Sequence, residues 1–197
     1  MFITRKSQTQ FLIQDLAKQP KVKISLGSFE KEPLLAKETD VILVAQNKGV
    51  PQGWEKLNPK PFLINSPGEY EIKGVAVHGV PHDGKIIYLI SFEQERLAYL
   101  LQPSSKELTP SQMDKVSEAS YLIISLDGQG LGPDKTSPLI AQIEPQLVIP
   151  MDYQAKHLQR LAEILGLSEI KEESSLITNK LPLIKEETLV RALSITL

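Results

Sequence analysis

The chain has 197 residues, with no cysteine, three histidines and a single tryptophan. The lack of cysteine excludes disulfides, thiolate metal sites and a cysteine nucleophile, and it leaves the redox compartment open. No apolar run approaches the roughly 18 residues that a membrane-spanning helix needs. Basic residues stand near Met1–Lys6 without a long apolar stretch behind them, so no signal peptide is expected. Dense runs of one charge are also missing: 22 basic and 24 acidic residues are interspersed, for a net charge of −2 and a pI of about 6.0. Nothing in that distribution suits a phosphate-tracking surface, so nucleic acid is not an expected partner. The default expectation is a cytoplasmic protein without membrane association.

Hydrophobic residues make up 41% and charged residues 23%, which is ordinary for a globular chain, and the length suits one domain over 1–197. Short β-like runs separated by turn signals dominate: Gln10–Gln14, Lys21–Leu26, Val41–Ala45, Pro61–Ile64, Gly74–Val80, Ile86–Phe92, Leu97–Leu101, Tyr121–Leu126, Gln146–Ile149 and Leu189–Thr196. Three of these, at 41–45, 121–126 and 146–149, are almost wholly apolar, as strands buried on both faces are. Thr109-Pro110 reads as an N-cap followed by a proline in the first turn, opening a helix through Val116. Thr136 or Ser137 with Pro138 repeats that signature ahead of Leu139–Ile143. A third helix is expected from Ala155 to Leu165, with Leu158, Leu161, Ala162 and Leu165 on one face and Gly166 past its end. Strands first, then alternating helix and strand, then strands again suit an α/β sandwich of two packed sheets better than a doubly wound sheet.

Two longer segments go further. One is Phe62-Leu63-Ile64-Asn65-Ser66-Pro67-Gly68-Glu69-Tyr70-Glu71-Ile72-Lys73-Gly74-Val75, in which Pro67-Gly68 presets a type II turn. The other is Ile143-Glu144-Pro145-Gln146-Leu147-Val148-Ile149-Pro150-Met151-Asp152-Tyr153. Together with the Leu108-Thr109-Pro110-Ser111-Gln112 helix start between them, they resemble the lactonase-like branch of the metallo-β-lactamase-fold hydrolases. That resemblance covers roughly residues 1–155 and implies an αββα four-layer sandwich.

It also implies a chemistry. Active members of that family bind one or two zinc ions, which lower the pKa of a bound water to give hydroxide near neutral pH. Their principal ligand motif, H-x-H-x-D-H, follows a buried strand. Here the matching segment reads Ala45-Gln46-Asn47-Lys48-Gly49-Val50-Pro51, so the four ligand positions are Gln46, Lys48, Val50 and Pro51. A lysine ammonium has donors only and repels a cation. The family's bridging aspartate corresponds to Gln102, and its last histidine to Asp152. The N-terminal G-H-S-C-F pattern is replaced by Ser7-Gln8-Thr9-Gln10-Phe11. His82 matches the isolated histidine of the first metal site, although a solvated turn histidine is the plainer reading. His78 and His157 have no ligand partners at useful spacing. A dinuclear centre of this kind uses about five histidines, and the chain has three. No metal or other cofactor is therefore expected.

Other chemistry has weaker support. Gly128-Gln129-Gly130-Leu131-Gly132 lies between a strand and a helix, but it is neither a dinucleotide fingerprint nor a phosphate loop. There is no nucleophile elbow. The pairs Glu69/Glu71, Glu172/Glu173 and Glu186/Glu187 read as solvated faces and turns, and Trp54 as packing over the altered ligand segment. The resulting expectation is a catalytically inactive family member acting as a binding or structural module, with self-association the one mode of partnership entertained. The alternative is a metal-dependent hydrolase with an altered or mononuclear site at His82, Asp83 and Asp152, acting on a small ester, lactone or phosphoester.

Overall fold

A computed structural model describes residues 1–16, 21–29, 38–46, 48–93, 95–101, 107–126, 132–182 and 187–196. The first half supplies β1 (Phe2–Arg5), β2 (Phe11–Gln14), β3 (Lys23–Gly27), β4 (Val41–Val44) and β5 (Phe62–Ile64). Next come β6 (Gly68–Ile72), β7 (Val75–His82), β8 (Lys85–Phe92) and β9 (Glu95–Leu100). The second half alternates α1 (Pro110–Val116), β10 (Tyr121–Ser125), α2 (Gly132–Ile143), β11 (Leu147–Met151) and α3 (Ala155–Ile164). It closes with β12 (Lys171–Glu173), β13 (Leu176–Ile177) and β14 (Leu189–Leu193).

Two sheets result. One has the order β13-β1-β2-β3-β4-β5 and the other β12-β14-β11-β10-β9-β8-β7-β6. Their facing sides share one apolar core, in which Ile3, Phe11, Ile13, Ile24 and Leu43 meet Tyr88, Ile90, Tyr99, Ile123 and Ile149. β4 shows why a run of four apolar residues is needed. Val41 and Leu43 face that core, whereas Ile42 and Val44 face outward into a cluster with Phe29, Trp54, Leu57 and Leu63. A strand with both faces covered cannot alternate with polar residues. The helices lie on the outer face of the eight-stranded sheet, where Val116, Ile140, Ile143 and Leu161 pack on Leu100, Leu122, Ile124 and Val148.

This is the α/β metallo-β-lactamase-like sandwich. Among the described residues its fourth layer, outside the six-stranded sheet, is a single 3-10 turn at Trp54–Lys56. Trp54 packs on the outer face of β4 and β5, with Lys60 Nζ 4.3 Å from the ring centroid.

Several local expectations hold in detail. Thr109 caps α1 through a reciprocal capping box with Gln112. Gly166 takes a φ of 68° just beyond α3. The second helix differs, since it begins at Gly132 and Pro138 lies inside it. The proline that opens the helix is Pro133, in the first turn, where a missing N–H costs nothing. The turn at Pro67-Gly68 also departs from type II: Gly68 has a φ of 153° and already begins β6.

Candidate functional site

Ligands of sheet proteins with parallel strands gather where those strands end. Here β3, β4 and β5 run parallel and end at Gly27, Val44 and Ile64, while β9, β10 and β11 run parallel and end at Leu100, Ser125 and Met151. At this end the described residues that follow β4 and β11 meet the β7–β8 and β1–β2 turns and form a rim. Ile86 N donates to Ala45 O at 2.7 Å, and Gln46 bridges Lys85, joining the two sheets at that end. Across the rim, Asp152 N donates to Gln8 O at 3.0 Å, and Tyr99 Oη donates to Thr9 O at 2.8 Å. Gly27 packs so closely under this turn that a Cβ there would lie 2.7 Å from Thr9 O.

The four positions of the expected ligand motif do different things. Gln46 is buried, its amide nitrogen donating to Ser28 Oγ and its carbonyl accepting from Phe29 N at 3.4 Å. Lys48 has a φ of 63°, and its amide donates to Asn65 O at 2.7 Å. Asn65 returns a bond from its side chain to Gly49 O at 2.9 Å, closing the loop on β5. Val50 is 56% exposed, and Pro51 is buried. A Cβ at Gly49 would stand 2.8 Å from Val44 Cγ1, so this tight turn depends on glycine. The Gln46 side chain is thus engaged inside the protein and the backbone of Lys48 and Gly49 is bonded to Asn65, while the Lys48 and Val50 side chains are exposed.

His82 is not a solvated turn residue, as the plainer reading had it. It is the last residue of β7, paired with Lys85 across an Asp83-Gly84 turn in which both φ values are positive, 47° and 75°. That is the geometry of a two-residue hairpin turn with an Asp-Gly sequence. The residue is 8% exposed, and Nε2 is buried with no hydrogen-bond partner among the described residues. Asp152 follows β11 with a φ of 50°, and its carboxylate Oδ2 accepts from Ser125 Oγ at 3.2 Å. Gln102 and residues 127–131 of the glycine-rich loop lie outside the described residues.

Sequence reading passed over the residues that organise this rim. Arg5 is 3% exposed. Its guanidinium donates to Ser7 O (2.9 Å), Leu193 O (3.1 Å), Gln8 O (3.2 Å) and Gln8 Oε1 (2.8 Å), and it lies 4.5 Å from the centre of the Tyr153 ring. Burial lowers its pKa, and neighbouring Tyr153 opposes the shift. Tyr99 is fully enclosed, and burial raises its phenol well above the ordinary value, with Asp152 adding to the effect. The one available signal was an arginine closing an otherwise uncharged strand, Phe2-Ile3-Thr4-Arg5.

A zinc centre of the family's kind needs at least three converging imidazole or carboxylate donors. Among the described residues no group of three or more such side chains stands close enough to hold a metal ion. The described donors therefore do not fit that centre. His82 ends β7 and Asp152 follows β11, and Ser125 bonds the Asp152 carboxylate.

Comparison with known proteins places the chain. It is similar to a protein from Thermotoga maritima described as a Zn-dependent hydrolase of the metallo-β-lactamase superfamily. That match has 18% identity and a TM-score of 0.74, covering 98% of this chain and 100% of the other. It is also similar to Igni18, a metallo hydrolase from Ignicoccus hospitalis, at 13% identity and a TM-score of 0.57, over 85% and 92% of the two chains. The metallo-β-lactamase-fold protein YhfI from Bacillus subtilis matches at 9% identity and the same TM-score, over 85% and 93%. At these identities the likeness is one of fold. No curated protein sequence matches significantly. The profile of the beta-lactamase superfamily domain matches residues 19–152, more than half of the chain, and the protein belongs to that superfamily.

Proposed function

We propose that this protein is a catalytically inactive member of the superfamily, a cytoplasmic binding or structural module that works through self-association. The observation that carries this reading is the Gln46–Pro51 segment. The family's ligands would stand there, and here a buried glutamine bonds Ser28, a lysine sits on a left-handed backbone, and an exposed valine precedes a proline. Further support comes from the Arg5 guanidinium, which holds the β1–β2 turn through hydrogen bonds. The test is an assay of the purified protein, with and without added zinc, against a simple lactone, a carboxylic ester and a phosphodiester. No zinc-dependent turnover is expected, and light scattering should give a mass above that of one chain. Turnover that depends on zinc would overturn the reading.

One observation favours a second reading. A buried histidine nitrogen without a hydrogen-bond partner is costly unless something satisfies it, and His82 Nε2 is such an atom among the described residues. Under this reading His82 and Asp152 would be the two protein donors of a single metal ion otherwise bound by water, in a hydrolase of a small ester, lactone or phosphoester. His82→Ala then abolishes turnover, whereas under the first reading it changes stability only.

A further inference from the structure

The outer face of the eight-stranded sheet is unevenly covered. The helices pack over β9, β10, β11 and β14, and α1 reaches the end of β7, where Val80 joins the helix-facing cluster and Gln112 Nε2 donates to Pro81 O at 2.8 Å; among the described residues that cluster includes no residue of β6. Beside α1 this leaves a groove of about 440 Å³, within the size range of small-ligand sites. Its apolar surfaces come from Ala76, Leu89 and Ala119, and its charged lining is Glu69 and Glu71 from β6, Lys115 from α1, and Glu118 just past α1, which pairs with Arg96. Glu69 stands on the β6 side and Lys115 on the α1 side.

Both charges approach the same atom. Lys115 Nζ lies 3.1 Å from His78 Nε2, and Glu69 Oε1 lies 3.8 Å from it. A neutral His78 accepts a hydrogen bond from the ammonium through Nε2. Lys115 has no carboxylate partner among the described residues, and Glu69 has only this long approach to the imidazole. An unpaired cation and an unpaired anion thus face one another over a single ring nitrogen, next to an apolar surface. A ligand that satisfies both carries its own ammonium and carboxylate close together. Attached to an apolar group, that pair describes an α-amino acid.

We propose that this groove binds a small zwitterion of the α-amino-acid class, its ammonium against Glu69, its carboxylate against Lys115 and its apolar side chain on Leu89 and Ala119. The site lies on the outer face of the sheet, away from the altered ligand segment, and does not rest on the loss of metal ligands. Its charged groups are open to water and screened, so binding is weak.

The test is a titration of the full chain, isotopically labelled, with L-leucine, read by nuclear magnetic resonance at the His78 ring and the Ala119 amide. Saturable shifts confined to the groove are expected. N-acetyl-L-leucine lacks the ammonium and L-leucine methyl ester lacks the carboxylate, so each should bind at least about tenfold more weakly. Glu69→Gln and Lys115→Met should each cost a similar factor. Ala76→Leu fills the groove from an exposed position without changing charge, and it should abolish binding even if a charge variant disturbs the fold. The proposal is overturned by the absence of saturable shifts, by equal binding of all three compounds, or by binding that survives Ala76→Leu. Metal content and hydrolytic activity do not enter the readout, so this inference and the proposed inactivity fail separately.

Discussion

The amide of Asp152 donates to the carbonyl oxygen of Gln8 at 3.0 Å, tying the end of β11 to the turn between β1 and β2. Arg5 Nη2 shares that carbonyl at 3.2 Å. One oxygen therefore joins the eight-stranded sheet, the six-stranded sheet and a buried cation at the rim that carries Asp152.

The first prediction concerns that cation. Arg5→Met leaves the carbonyls of Ser7, Gln8 and Leu193 without their buried donor, and the loss should be about 3 kcal/mol in urea unfolding. Arg5→Lys should recover only part of this, because an ammonium cannot reproduce the planar fork.

Close backbone approach gives the second. At Gly27 a Cβ would stand 2.7 Å from Thr9 O and 2.9 Å from Gln10 Cα, and neither backbone atom can swing aside as a flexible side chain would. Gly27→Ala should destabilise the protein by at least about 2 kcal/mol, measured by chemical denaturation.

Between the sheets, the Tyr88 hydroxyl lies 2.9 Å from Val44 O and 3.0 Å from Ile64 O, a donor shared by the ends of β4 and β5. Burial pushes its phenol far above the ordinary range, so it stays a donor at every accessible pH. Tyr88→Phe should cost about 1–2 kcal/mol, with little change in fold by circular dichroism.

A fourth prediction follows from Asp40. Burial pushes its carboxyl upward, but bonds from Lys73 and from the Lys23 amide outweigh that, and the net shift is downward. A depressed folded pKa means that the ionised form contributes stability above the unfolded value of about 4. That contribution is lost as the pH falls through the lower folded value. The melting temperature of Asp40→Asn should therefore fall less between pH 5 and about pH 2 than that of the parent.

How much of this was legible depended on the kind of residue involved. β4, β10 and β11 could be read because burial on both faces forces continuous apolar runs, and α1 because its cap and proline are local signals. β1 was missed, since a buried arginine in a four-residue strand looks like a surface residue until its carbonyl partners are in place. β12 and β13 are three and two residues long and take their pairing from distant strands, which no local pattern encodes. The proline of α2 misled because two prolines stand five residues apart, and only tertiary packing selects the first as the opener. At the rim, the identities of Gln46, Lys48, Val50, Pro51 and Asp152 were plain. The burial of His82 was not, because a strand ending in Pro-His before Asp-Gly reads like a turn.

The most direct test of the proposed inactivity is the zinc content of the protein purified without chelator and measured by plasma mass spectrometry. The expected result is below about 0.1 equivalent per chain, since among the described residues no three donors stand close enough to hold an ion. One or two tightly bound equivalents per chain would contradict it.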